Sequence, residues 1–320
     1  MKRPAQSGAA LLTAMIIVSL IATMAAAMAW RQYRAMHIEA AERARAQSAW
    51  ILQGALDWAR LILREDARAN QQGQAIDHLG EVWAVPLAEA RLSTFLAAEQ
   101  DPTVDDGPEA FLSGTLSDAQ ARYNLRNLVA AAAPALPAEL RTLARLCELA
   151  GCPSGTATTL SEQLRAAFAA KAEAGAADAP VQPANFEQLA WLGLTADTLK
   201  RLRPFVTLLP GPSKVNLNTA PREVIAALFE GMDLASAERI VQVRQAQPLR
   251  TLDDAKKLLP ATVDVSAERA SVNSDFFIVT GRLRLDERVL EERSLVQRRG
   301  LDMLVLSRDR VNLVLEAASQ

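Results

Sequence analysis

Two cysteines are the residues of this chain best suited to covalent chemistry. Cys147 and Cys152 stand five positions apart in the run CELAGC. A local disulfide joins them if the intervening Gly151 makes a turn; two buried thiols are the alternative. No second Cys or His pair accompanies them, so the spacing is not that of a metal site. The two histidines are His37 and His78, and neither falls in an H-E-x-x-H pattern. G-x-S-x-G and phosphate-loop patterns do not occur either. His37 reads as a helix-surface residue and His78 as a loop residue, and the sequence does not support an enzyme. One further cluster offers ligand chemistry. Asp101, Asp105, Asp106 and Glu109 fall within nine positions, on a stretch with Pro102 and Gly107 that has no helical period. They supply hard oxygen ligands, or else form a solvated acidic turn.

The elements that position these groups begin with a membrane-length helix. Met1 to Gly8 is short and basic, and Ala9 to Ala29 then runs 21 residues without a charge. Such a run crosses a bilayer as one helix, about 30 Å at 1.5 Å per residue. An ordinary secretory signal is cut after its apolar stretch. Here Gly8, the small residue, lies before it, so a cut between Gly8 and Ala9 leaves the apolar helix on the mature chain. An uncleaved single-span anchor is the alternative. Beyond Trp30 no Pro or Gly occurs until Gly54. Apolar residues recur at i, i+3 and i+4 through Ile51, Leu52, Ala55, Leu56, Ala59 and Ile62 to about Gln72, predicting an amphipathic continuation of the same helix. The basic leader predicts a cytoplasmic N-terminus, so that the remainder lies beyond the inner membrane, where a disulfide persists.

The leader and helix resemble the class III leader of type IV pilins and type II secretion pseudopilins, removed by prepilin peptidase. That resemblance implies cleavage at Gly8, N-methylation of Ala9, and Thr13 as the fifth mature residue. Most pilins carry a Glu there, which is matched by the N-terminal amine of a neighbouring subunit. A Thr avoids the cost of an unpaired carboxylate in the membrane, and this departure is typical of minor pseudopilin K. Later segments agree. Ser113 to Leu128 contains SGTLSDAQARYNLRNL, similar to that family's G-x-I-x-D-x-Q-G-R-x-N-L-N-N-L signature, with Ala121 for Gly and Arg126 for Asn. The resemblance implies a place at the pseudopilus tip with the I and J minor pseudopilins, on the inner-membrane assembly platform of a Gram-negative bacterium. There it would help start assembly and support export of folded proteins across the outer membrane. Relatives also carry calcium in the head, for which Asp101, Asp105, Asp106 and Glu109 are the best local supply.

Net charge is −2, from 35 basic and 37 acidic residues, which gives no electrostatic case for nucleic acid. A rival reading comes from VNLNTAP (215–221) and the helical hairpins after it, which resemble helix-hairpin-helix modules of DNA-uptake proteins. A membrane-anchored DNA receptor is therefore the alternative function. Its turn is weak: Gly231-Met232-Asp233 carries an acid where a second Gly should approach phosphate. Residues 185–260 hold ten basic and eight acidic side chains, not a phosphate track.

Predicted elements complete the order. Glu81–Leu87 is expected as a short strand, Phe111–Asp118 as another, and Glu139–Leu149 as a helix. Thr219 is expected to cap a helix at Glu223–Glu230, followed by Ala235–Gln245. Phe276–Leu285, Val289–Arg299 and Asp302–Leu306 alternate as antiparallel strands. The expected organisation is leader 1–8, membrane helix 9–29, amphipathic stalk 30–72, first part of a pilin-like domain 73–128, inserted helical domain 129–272 and closing strands 273–320. The class is α+β: a pilin-like fold with its long N-terminal helix packed on an antiparallel sheet and a large all-α insertion.

Overall fold

Helix α1, Ser7–Gln72, is 66 residues long, in a computed structural model that describes residues 7–92, 110–169, 180–260, 263–285 and 288–314. Ala, Leu, Met, Glu and Arg dominate it, all strong helix formers, and no proline interrupts it. The chain divides into two units, residues 1–54 and 55–320.

In the first unit every large apolar side chain from Leu11 to Met28 is more than half exposed. Further along, Arg43 bonds Glu39 at 2.5 Å and Arg45 bonds Glu42 at 2.9 Å, exposed i,i+4 and i,i+3 pairs worth a few tenths of a kcal/mol each. Tyr33 and His37 meet edge to face.

The second unit is built on a five-stranded antiparallel sheet, ordered β1-β2-β7-β8-β9. Its strands are β1 Leu87–Arg91, β2 Ala110–Asp118, β7 Phe276–Leu285, β8 Arg288–Arg299 and β9 Asp302–Val314. Strand β9 extends past the expected end at Leu306, paired with β8 as far as Arg288↔Val314. Alternation decides which face each side chain serves. Phe277 and Val279 point to one face with Val296 and Met303. There they meet Leu56, Ala59, Leu63 and Ala67 of α1 and the buried Trp83. Phe276 and Ile278 point to the other face, towards Ala119 and Leu209. Trp83 does not lie on a strand as expected. Val82–Ala84 is a 3-10 turn, which swings the indole edge-on to Phe277 at 5.3 Å between centroids; β1 starts only after Pro86.

Strands β2 and β7 are neighbours, in register from Ala110↔Leu285 to Asp118↔Phe277. Everything from Ala119 to Asp275 is therefore inserted between two paired strands. The insert contains helices α2 Arg126–Ala130, α3 Leu136–Leu149, α4 Thr156–Ala169, α5 Ala196–Leu202, α6 Arg222–Leu228, α7 Leu234–Ala246 and α8 Leu252–Lys257. Its core is apolar, with Leu128, Leu143, Leu146, Leu160, Leu164 and Ile225 fully buried. Each such side chain contributes about 1.5–3 kcal/mol of burial. Two parallel pairs of two residues each close its base: β3 Tyr123–Asn124 on β4 Val206–Thr207, and β5 Val215–Asn216 on β6 Ala270–Ser271.

Candidate functional site

The expected processing residues Gly8 and Ala9 lie at the start of α1, and Thr13 one turn further. From Ala10 the helix is long and apolar enough to cross a membrane. Thr13 brings no carboxylate to that stretch. Asp101, Asp105, Asp106 and Glu109 lie outside the described residues.

Cys147 and Cys152 come together at the end of α3. Gly151 takes the left-handed conformation at φ +65°, which only glycine adopts without strain. This lets Cys152 N–H donate to the Cys147 carbonyl at 2.8 Å. The two side chains hydrogen-bond as free thiols. Burial, and then the neighbouring thiol, push Cys147 up to about 12; burial also raises Cys152.

The unexpected feature is a buried polar seam where the insert meets the sheet. Asp118, the last residue of β2, is its centre. Its Oδ1 accepts from Gln120 N–H at 2.7 Å, and its Oδ2 accepts from Thr219 and Ser274 hydroxyls at 2.5 Å each and from Asn216 Nδ2 at 3.1 Å. Burial pushes Asp118 up to about 6 despite these donors. Thr219 is thus not the helix cap that its position suggests. Pro221 occupies the cap of α6, and the Thr219 hydroxyl is spent on a residue 101 positions away. Asn216 also donates to the Asp77 carbonyl and Ser274 Oγ. Asn218 exchanges bonds with Leu249, and Asn124 and Asn127 hold the loop at Gly211–Ser213. Asn216 of VNLNTAP is therefore a seam residue, while Asn218 and the asparagines of RYNLRNL tie the insert to itself. Their signal in the sequence was an amide between apolar neighbours, which marks a buried group with a partner but not which partner.

Arg298 of β8 extends the seam. Its guanidinium donates to Asp66 at 2.7 Å, to Asp77, and to the Ser274 carbonyl, and lies over the Phe277 ring. Burial lowers Arg298, and the two carboxylates more than restore it. Asp66 is pushed up to about 7, chiefly by burial and then by Glu81 and Asp77. Asp66, Asp77 and Glu81 bring oxygens within 4.8 Å of one another, but the donor set fits calcium poorly. Arg298 already binds two of them, and Glu81 accepts from Trp83 Nε1 and His78 N. Among the described residues one buried oxygen, Asp77 Oδ1, is left without a partner, against the six to eight ligands calcium takes.

At the candidate DNA turn, Asp233 Oδ1 accepts from Ser236 N at 2.7 Å and caps α7. A carboxylate thus occupies the helix start where a phosphate would have to sit.

Two family models, both described as type II secretion system (T2SS), protein K, match residues 121–211 and 215–273. The chain is 30% identical over 306 residues to the type II secretion system protein K of Pseudomonas aeruginosa, covering 89% of this chain and 87% of the relative. It is 29% identical to the protein K of Klebsiella pneumoniae, over 95% of this chain and 96% of the relative. Among solved structures it is similar to a chain of the GspK-GspI-GspJ complex from enterotoxigenic Escherichia coli. The TM-score is 0.64 at 21% identity, covering 85% of this chain and 98% of that one.

Proposed function

The chain belongs to the type II secretion system protein K family, and from that premise we propose that it is a minor pseudopilin at the tip of the type II secretion pseudopilus. The observation that carries the reading is the order of elements. An exposed apolar helix leads into a sheet whose adjacent strands are split by a helical insert. The helix from Ala10 supplies the single membrane anchor, and residues 55–320 form the head, which the basic leader assigns to the periplasm. Prepilin peptidase cuts between Gly8 and Ala9 and methylates the new amine. With Thr13 in place of a carboxylate, the subunit needs no amine ahead of it in the membrane and takes the first position. The solved relative assembles with GspI and GspJ, and the same two classes of minor pseudopilin are the partners here, starting assembly on the inner-membrane platform. A pseudopilus capped in this way supports export of folded proteins across the outer membrane.

The full chain, expressed with prepilin peptidase and candidate I and J pseudopilins, should co-purify with both from detergent. Its mature N-terminus should be methylated Ala9 by mass spectrometry. A chain that leaves both partners behind, or one that starts at Met1, sinks the reading.

A further inference from the structure

The face of the sheet that α1 does not cover is only partly covered by the insert, and a cleft of about 740 Å³ remains between them. Its floor is β7, β8 and β9; its walls are Arg122, Arg126, the end of α4 and the segment from Gln182 to Glu187. Among the described residues five arginines line it, Arg122, Arg126, Arg203, Arg282 and Arg293, against three acids, Glu187, Glu291 and Asp309.

Three of those arginines are committed. Arg203 bonds Glu187 at 2.8 Å, while Arg282 and Arg293 both bond the buried Glu291. The other two are not. Among the described residues the Arg122 guanidinium makes no hydrogen bond or ion pair, although it is half-buried. Burial, Arg203 and Arg293 pull it below the ordinary arginine range, with Asp118 the opposing charge. The Arg126 guanidinium lies over the Phe168 ring at 3.8 Å, and its Nη1 is buried with no hydrogen-bond partner among the described residues. Buried donors in folded proteins are almost always bonded. A guanidinium held in place by an aromatic face, with a donor unused among the described residues, is set up for a planar anion.

We propose that this cleft binds a short acidic peptide segment of another protein, with carboxylates received by Arg122 and Arg126 and apolar side chains against Phe168, Phe186 and Leu208. Its size is that of ligand pockets in general, about 300–1,000 Å³, far larger than one small anion fills. The three acids in the wall disfavour a polyanion such as nucleic acid. They suit a segment that carries a few carboxylates and offers backbone N–H groups to Asp309 and Glu187.

The test is a titration of the full chain in detergent with a fluorescein-labelled hexapeptide of alternating leucine and glutamate. The leucine–glutamine hexapeptide is the comparison. The glutamate peptide should bind at least tenfold more tightly. An Arg122→Gln/Arg126→Gln double variant should lose at least tenfold in affinity for it, while Lys200→Gln, outside the cleft, leaves it unchanged. Equal affinity for the two peptides, or a double variant that binds like the parent, overturns the proposal. So does displacement by inorganic phosphate at the peptide's own concentration, which would make this a small-anion site. If the double variant does not fold, the parent chain still answers. Bound glutamate peptide should protect Arg122 and Arg126 from phenylglyoxal severalfold by mass spectrometry, and unchanged modification overturns the proposal.

Discussion

One face of the sheet, and the end of it where the insert joins, are held by different physics. On one, the α1 stripe Leu56–Ala59–Leu63–Ala67 meets Trp83, Phe277, Val279 and Val296 in a contact made of apolar side chains. At the other, where β2 passes into the insert beside Phe277, the insert is fastened by Asp118, Asn216, Thr219 and Ser274, whose bonds have direction. Apolar contact is proportional to area and tolerant of shape. A buried polar network is stringent, because each group left unpaired costs about 1–3 kcal/mol. The difference suits the parts. A helix needs only to lie against a sheet, whereas a folded insert leaving through Ala119 and returning through Asp275 needs one orientation.

Arg298 touches both the α1 contact and the seam, so its loss should be the most damaging. Arg298→Met leaves Asp66 and Asp77 carboxylates without their cation and removes the guanidinium from Phe277. Breaking one partner from a buried charge pair costs about 3–5 kcal/mol. Urea unfolding of the full chain in detergent should show a loss in that range. A loss under about 1 kcal/mol would mean that the seam contributes no directional hold.

Conservative changes sharpen the contrast. Phe277→Ala should cost about 3–4 kcal/mol through cavity and transfer terms, but Phe277→Leu less than about 1.5 kcal/mol. If the leucine variant unfolds as readily as the alanine variant, the apolar face is not the tolerant one.

The legibility of the two regions follows the same division. The apolar run after Gly8, the alternation of Phe276–Leu285 and the helix ending at Leu149 are written in neighbouring residues, so period and composition reveal them. The seam is written in pairs separated by up to 232 positions, such as Arg298 and Asp66, and no local pattern announces the partner. Thr219 shows the failure in detail. Its sequence context, followed by Pro221 and Glu223, is that of a helix cap, and tertiary contact with Asp118 takes the hydroxyl instead. Trp83 fails for a similar reason: VWAV has strand composition, but burial against Phe277 selects a 3-10 turn. In the cleft, Arg126 was legible only as a departure from a family signature. That its Nη1 lacks a hydrogen-bond partner among the described residues is a property of the fold.

The seam also makes a pH prediction that the apolar face does not. Asp118 has an ordinary carboxylate value of 3.8 and is pushed up to about 6 by burial. Between those values the folded state holds a proton that the unfolded state releases. Its contribution is therefore complete below about pH 4 and is lost as pH rises through about 6. The change is at most about 3 kcal/mol for two pKa units. Asp118→Asn cannot titrate, so the stability gap between the parent chain and this variant should shrink from pH 4 to pH 6.5. A gap that widens instead would reverse the sign and mean that Asp118 is held ionised by its four donors.

The smallest effect belongs to the insert alone. Cys147 and Cys152 are neighbouring thiols across the Gly151 turn, and an oxidising compartment removes two protons and two electrons to join them. The closed loop is short, so the bond restricts few unfolded conformations and should contribute about 2 kcal/mol. Both thiols are held protonated by burial, and the thiolate is the reacting form. Oxidation should therefore be slow without a catalyst and complete in chain recovered from the cell envelope. Non-reducing peptide mapping that finds both thiols free there removes the bond. Where the bond forms, hydrogen exchange should slow in α3 and in the turn after it while β7 and β8 stay unchanged. Equal slowing in the sheet would mean that insert and sheet open as one unit, and that the directional seam, not the apolar face, sets the stability of the whole head.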